Sequence, residues 1–370
     1  MMKRLIICIP SLRLGGAAKI ALNLCEYYAE NQTEVTVLLT GVLASEQVFS
    51  GVPAGVQVVV FPERGGNRLL RFMQKIFWIA GQFKKIKPEA ILAVRHDATV
   101  PSSLAWKLSG KPGRFYIREI NPISKTLNRH PVMVKLIRAA YASANGIIAN
   151  SKDVGESLKQ KNWLPANRIY VIDNPVLTNS FFAKAAMPVQ DPWLSASDLP
   201  LIVTIGRLQK MKAHETLIKA FNIVKKQVNC RLMIIGEGEE HDTLQDLIQH
   251  LDLASSVRLS GGMENPYPYL RAADLFVLTS VYEGFGNVLV EALSQGKKIV
   301  STNCVGGPAY ILNQGEYGTL VPVGEVEKLA QAMLEQLEAK TDPAHLIERA
   351  MEFSVDVVGR KYSNVMFENC

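Results

Sequence analysis

Cysteine is sparse and unpaired in this 370-residue chain: Cys8, Cys25, Cys230, Cys304 and Cys370 are odd in number, scattered, and include no C-x-x-C pair. That pattern speaks against a disulfide scaffold or a zinc ribbon and predicts free thiols in a reducing compartment. Long apolar runs are also missing. Nothing approaches the roughly 20 apolar residues needed to cross a bilayer. The opening MMKRLIICIP has the basic start of a signal peptide, but its apolar run is only Leu5 to Ile9 before Pro10. It reads as a first strand, so the expectation is a cytoplasmic or peripherally attached protein. Low-complexity tracts and short repeats are absent, and 48% hydrophobic with 20% charged residues fits a folded globular chain.

What is present is length enough for two domains and an uneven charge. Residues 1–178 carry 24 Lys and Arg against 11 Asp and Glu, a net +13, whereas residues 179–370 carry 17 against 23, a net −6. A basic first half predicts an anionic partner or surface for that half.

Short β-branched runs alternate with amphipathic stretches throughout, the pattern of parallel sheets covered by helices. In the first half, strands are predicted at RLIICIP, EVTVLLT, VQVVVF, AILAV, RFYI, GIIAN and RIYVI. In the second they are predicted at LIVTIG, RLMIIG, VRLSG, LFVLT, KIVST and GTLVP. The linker candidate is Asn174 to Leu199, with Pro175, Pro188 and Pro192 and little periodicity. The expected domains are therefore 1–178 and 179–353. Residues 354–368 form a last helix that periodicity assigns to neither, with completion of the first domain as one option.

Parallel sheets bind ligands beyond the carboxyl ends of their strands. In IPSLRLGGAAKIALNL, Gly15 and Gly16 lie between a strand and a helix, either as a tight turn or as bare backbone approaching a ligand. In LIVTIGRLQKMKAHETL, Arg207 and Lys212 follow a buried strand. They are either solvated or placed to neutralise a departing diphosphate. In SVYEGFGNVLVEAL, Gly284 and Gly286 permit a turn and Asn287 opens a helix whose amides make an anion site. Glu283 sits before that turn and Glu291 one helical turn in, about 6 Å further along the axis. The pair serves either as helix punctuation or as acceptors for the hydroxyls of a ligand with a diphosphate between them.

Taken in order, IGRL with Lys212, then GEG, then GGMENPYPYLRAADLFVLTSVYEGFGNVLVEA, then STNCVGGPAYILNQGEYGTLV resembles the retaining glycosyltransferases of family 4. The resemblance implies a GT-B fold, two Rossmann-like α/β domains facing a central cleft. It implies that Arg207 and Lys212 contact the donor diphosphate, that Glu283 touches the transferred sugar, and that Glu291 holds the ribose. Backbone amides of Phe285, Gly286 and Asn287, with Val288 and Leu289 beside them, would meet phosphate and sugar. Gly15 and Gly16 would close over the diphosphate, and Gly262 and Met263 would lie near the base. The chain departs from the family at Ala18 and Tyr310, where a glutamate is frequent. It also departs in FYIREINPISK, which lacks the histidine many members place near the sugar, leaving Arg118, Glu119, Asn121 and, further off, His96 as candidates.

No Asp-x-Asp occurs, so no metal and no cofactor is expected, the cations and helix amides supplying the electrostatics. Residues 67–88 carry Arg68, Arg71, Lys75, Lys84, Lys85 and Lys87 without an acid, beside Leu69, Leu70, Phe72, Ile76, Phe77, Trp78 and Phe83. Such a segment is either an ordinary sheet-covering helix or one lying on an anionic membrane. The expected activity is transfer of a hexose or N-acetylhexosamine from a UDP-linked donor to a lipid-linked or lipopolysaccharide-type acceptor. The expected place is the inner face of the cytoplasmic membrane. Two alternatives are a nucleotide-sugar epimerase of similar fold and a nucleic-acid-binding protein, the latter disfavoured because no recognition motif is visible.

Overall fold

A computed structural model describes residues 2–12, 15–41, 51–62, 65–121, 131–189, 191–195 and 199–368. The chain divides into two compact units, Met1–Val176 with Ser354–Cys370, and Leu177–Phe353.

The first unit is built on β1 (Lys3–Ile9), β2 (Thr33–Leu39), β3 (Gln57–Val60), β4 (Ala90–Val94), β5 (Arg114–Glu119), β6 (Gly146–Ala149) and β7 (Ile169–Val171). These form a seven-stranded sheet of order β3-β2-β1-β4-β5-β6-β7, parallel throughout. Its connecting helices include α1 (Gly16–Glu30), α2 (Arg68–Ile86), α3 (His96–Leu108), α4 (Pro131–Ser143) and α5 (Lys152–Lys159). Both faces are buried, so the strands are apolar at nearly every position rather than alternating with polar residues. On one face Ile6, Cys8, Ile91, Phe115 and Ile147 join residues of α2 to α5. On the other, Leu5, Ile7, Leu92, Tyr116 and Ile148 join α1 and the last helix, Val355–Ser363.

That last helix belongs to the first unit because the second face needs a cover beside α1. Val355, Val358 and Tyr362 of the helix supply it, with Val365 and Met366 of the turn that follows. Tyr116 Oη donates to the Val365 carbonyl at 2.7 Å, and Arg118 Nε donates to Tyr362 Oη at 3.0 Å. Gly359 permits the approach, since a Cβ there would fall 2.6 Å from the Tyr27 ring.

The second unit has β8 (Leu201–Ile205), β9 (Arg231–Ile235), β10 (Val257–Leu259), β11 (Leu275–Leu278), β12 (Lys298–Thr302) and β13 (Thr319–Val321). They form a six-stranded sheet of order β10-β9-β8-β11-β12-β13, again parallel. Its helices include α6 (His214–Lys225), α7 (His241–His250), α8 (Asn287–Ser294) and α9 (Val326–Glu338). Every strand expected from the sequence is present.

The expected linker is not structureless. It contains the short helices Asn179–Ala185 and Pro192–Ser195, and its aromatic side chains dock on the second unit. Phe181 meets Tyr267 edge-on at 4.7 Å. Trp193 lies under the guanidinium groups of Arg231 at 5.0 Å and Arg258 at 5.9 Å, and Asp191 pairs with Arg258 at 2.9 Å. Proline spacing conceals such packing because it reports only what the local backbone refuses.

Candidate active site

In the second sheet β8 pairs with β9 on one side and β11 on the other, so the connections after β8 and β11 run in opposite directions and leave a crevice beyond their carboxyl ends. The loop after β8 holds Gly206 to Ala213, and the loop after β11 holds Thr279 to Gly286. Their side chains meet. Lys212 Nζ donates to Glu283 Oε1, and Ser280 Oγ donates to the same oxygen at 2.6 Å. Oε1 is thus occupied twice, and neither bond uses Oε2. The side chains of Lys212 and Glu283 are only 15% and 11% exposed, so bulk water screens this pair weakly.

Three backbone contacts fix the loops. Thr279 Oγ1 donates to the Lys212 carbonyl at 2.8 Å, Val281 N to the Met211 carbonyl at 2.8 Å, and Glu283 N to the Val305 carbonyl at 3.1 Å. The stem of Lys212 passes over Gly206, where an added Cβ would lie 3.7 Å from the lysine Cδ. The GEG segment after β9 fits against the same loop: a Cβ on Gly236 would fall 1.9 Å from the Gly206 carbonyl oxygen, and one on Gly238 2.2 Å from that of Leu208. Beside Glu283, Gly306 and Gly307 let the β12 loop lie on the turn, since their Cβ atoms would fall 1.8 Å from the Glu283 oxygen and 1.6 Å from the Phe285 oxygen.

Gly286 turns the chain into α8 with φ 92° and ψ 46°. The helix's first amides therefore point back toward the loop bearing Glu283, a geometry suited to anions. Asn287 and Val288 are partly exposed there, and Glu291 is buried in the second turn. Phe285 is buried with its ring edge-on to Phe353 at 5.7 Å, so its side chain anchors the turn. Leu289 is fully buried and its amide donates to the Gly286 carbonyl at 2.9 Å. Its side chain therefore packs in the core beneath the turn.

Arg207 is exposed on the loop after β8. Gly262 and Met263 lie after β10: Gly262 N donates to Glu237 Oε1 at 3.2 Å, and Met263 packs against the apolar cluster that includes Val203, Met233 and Ile235. Two residues here escaped the sequence reading. Ser280 is one, because a serine three positions before a glutamate carries no signal until the loop folds. His214 is the other: it is buried at the start of α6, and burial, with Lys212 nearby, lowers its pKa to about 4.

In the first unit, Gly15 and Gly16 lie at the start of α1 after β1, and His96 starts α3 after β4. They flank the corresponding switch between β1 and β4. Gly15, at φ 164°, is extended and gives no side-chain cap. His96 faces Asp97 at 3.2 Å. Arg118 and Glu119 are buried in the unit's own framework: Arg118 also donates to Asn174 Oδ1 at 2.5 Å, and Glu119 takes the Tyr141 hydroxyl, Ile120 N at 3.0 Å and Asn121 N at 3.3 Å. These bonds hold both side chains in place within the unit. Asn121 is partly exposed. The thiols of Cys8 and Cys25 are pushed by burial to about 12 and those of Cys230 and Cys304 to about 11, so none is poised as a nucleophile at neutral pH. Cys370 lies outside the described residues.

Two doubly wound parallel sheets, one with a cation and a carboxylate joined at its switch point, are the architecture of the GT-B fold. The family model "Glycosyltransferase Family 4" matches residues 14–180 and "Glycosyl transferases group 1" matches 189–353, so between them they span most of the chain, which belongs to the glycosyltransferases of GT-B fold. The lipopolysaccharide core biosynthesis glycosyltransferase LpsE of Rhizobium meliloti is 30% identical over 221 residues, 60% of this chain and 62% of that protein. A Campylobacter jejuni enzyme named N-acetylgalactosamine-N,N'-diacetylbacillosaminyl-diphospho-undecaprenol 4-alpha-N-acetylgalactosaminyltransferase is 28% identical over 348 residues, 91% of each chain. Among solved structures, Anabaena HepE in complex with UDP and glucose superposes with a TM-score of 0.80 at 19% identity, covering 99% of this chain and all of that one. This last likeness establishes the fold alone.

Proposed function

We propose that this enzyme is a retaining glycosyltransferase that moves a hexose or N-acetylhexosamine from a UDP-linked donor to a lipid-linked or lipopolysaccharide-type acceptor at the inner face of the cytoplasmic membrane. The observation that carries the reading is the meeting of Lys212 with Glu283 beside the start of α8. Lys212, Arg207 and the helix amides stabilise negative charge as the diphosphate leaves. Glu283 accepts from sugar hydroxyls, through the oxygen that Lys212 and Ser280 do not occupy, and Glu291 accepts from the ribose.

The step balances without an enzymic nucleophile. The bond between the sugar's anomeric carbon and the β-phosphate oxygen breaks, the acceptor hydroxyl oxygen bonds to that carbon from the same face, and its proton passes to the departing phosphate. UDP as donor nucleotide is supported by the UDP held in HepE, and a lipid or lipopolysaccharide acceptor by the names of the Campylobacter and Rhizobium relatives. No metal is assigned, since fixed cations take the place a divalent ion would fill.

The test incubates purified protein with a panel of nucleotide sugars and membrane extract, follows nucleotide release and label transfer, and determines the anomeric configuration of the product. A UDP-sugar should be consumed with retention, at a rate unchanged by EDTA. Lys212→Ala and Glu283→Gln should each slow transfer about 100- to 1,000-fold, the size expected for one group stabilising transition-state charge. Full transfer by Glu283→Gln, or inversion at the anomeric carbon, would overturn the assignment.

A further inference from the structure

A helix covering one face of a sheet needs only one apolar side, and α2 has two. Inward, Ile76, Ile79, Ala80 and Phe83 are buried, with Phe72, Trp78 and Ile86 packed against the same core. Outward, Leu69 is 70% exposed, Leu70 49%, Met73 41% and Phe77 59%. Leu70, Met73 and Phe77 recur at intervals of three and four residues, which places them along one side of the helix, and Lys84 continues that line two turns later. The first turn is tied down: Asn67 Oδ1 accepts from Leu70 N at 2.9 Å, and Arg71 Nε donates to the Gly66 carbonyl at 2.9 Å. These apolar side chains are therefore presented to solvent by a capped helix.

The charges on α2 separate in the same way. Lys75 turns inward over the Phe61 ring at 5.7 Å, and burial lowers its pKa. Arg68, Lys84 and Lys85 are exposed at the two ends, Lys87 is exposed at the C-cap, and α2 contains no acid. An exposed apolar side rimmed by cations matches the boundary between anionic headgroups and acyl chains, where hydrocarbon favours the first and phosphate the second. A purely polar partner would leave Phe77 and Leu69 in water, and the helix offers no negative charge to a basic one.

We infer that α2 docks the first unit on an anionic lipid bilayer, with Leu69, Leu70, Met73 and Phe77 entering the interface and Arg68, Lys84 and Lys85 meeting the headgroups. This deepens the proposed function by naming the surface and the side chains, and it rests on that reading for the reason a membrane should be nearby. Among the described residues no helix is long and apolar enough to cross a membrane.

The experiment floats the full chain with vesicles of phosphatidylcholine alone and of phosphatidylcholine mixed with phosphatidylglycerol. The protein should partition onto the anionic vesicles and be released by salt. Met73→Ser with Phe77→Ser should weaken partitioning about tenfold or more. Lys84→Glu with Lys85→Glu should weaken it by about fivefold or more for each lysine, and only on the anionic vesicles. Matching thermal melts and unchanged donor hydrolysis in vesicle-free buffer would exclude misfolding. The inference is overturned if the unaltered chain fails to float, or if both variants float as well as it does. It is equally overturned if Phe77→Ser abolishes self-association in a protein that binds neither vesicle, because a second copy then covers the patch. Flotation as expected without nucleotide release from any sugar donor would remove the transferase reading and leave the docking surface standing.

Discussion

His214 illustrates how a single residue couples the site's geometry to pH. Its ring is buried beside the loop that carries Lys212, and its pKa lies at about 4 against an ordinary 6.5. Between those values the unfolded chain holds a proton that the folded chain refuses, so stability falls as pH is lowered from 6.5 toward 4. The full effect is on the order of 3 kcal/mol. Urea melts at pH 7 and pH 4 should show this loss, and His214→Leu should remove most of it; an equally steep decline in the variant would show that other groups cause it. Lys212 and Glu283 were legible as residues because their types and spacing carry chemistry. Their direct pairing was not, since 71 positions separate them and only the order of β8 and β11 brings their loops together. Ser280 escaped notice for a related reason: that its hydroxyl reaches Glu283 depends on how the loop folds, and a serine by itself announces no such partner.

At the scale of elements, the glycines around the crevice matter for what their missing Cβ atoms allow. Gly306 and Gly307 let the β12 loop lie against Glu283 and Phe285, and a methyl at Gly307 would fall 1.6 Å from the Phe285 oxygen. Backbone cannot yield there as a flexible side chain would. Gly307→Ala should therefore destabilise the second unit by about 1–3 kcal/mol and reduce transfer by moving Glu283. A variant with unchanged melting and unchanged activity would refute that packing argument. The strands themselves were legible because a sheet buried on both faces demands near-continuous apolar runs. The two sides of α2 were not separable from sequence, since an apolar residue's type is the same whether it faces a core or solvent.

For the whole molecule, the return of the chain from the second unit to the first has a measurable cost if interrupted. Tyr362 is fully buried among residues of the second face and accepts from Arg118 Nε. Tyr362→Ala should cost about 3–5 kcal/mol, as for other large aromatic truncations. Tyr362→Phe should cost roughly 1–3 kcal/mol by leaving a buried donor without its partner. Chemical denaturation monitored for each unit would check this, and a loss confined to the second unit would contradict the placement of the last helix.

The amino-acid sequence alone determined the strand and helix alternation, the two-sheet class and the residue types that carry charge, because each follows from periodicity or from the chemistry of a side chain. Tertiary structure decided which carboxylate oxygen is taken by Lys212 and Ser280, which face of α2 is left apolar and uncovered, and where the final helix lies. Those outcomes depend on strand order and on the fit between distant surfaces, and neither is encoded in any local stretch of chain.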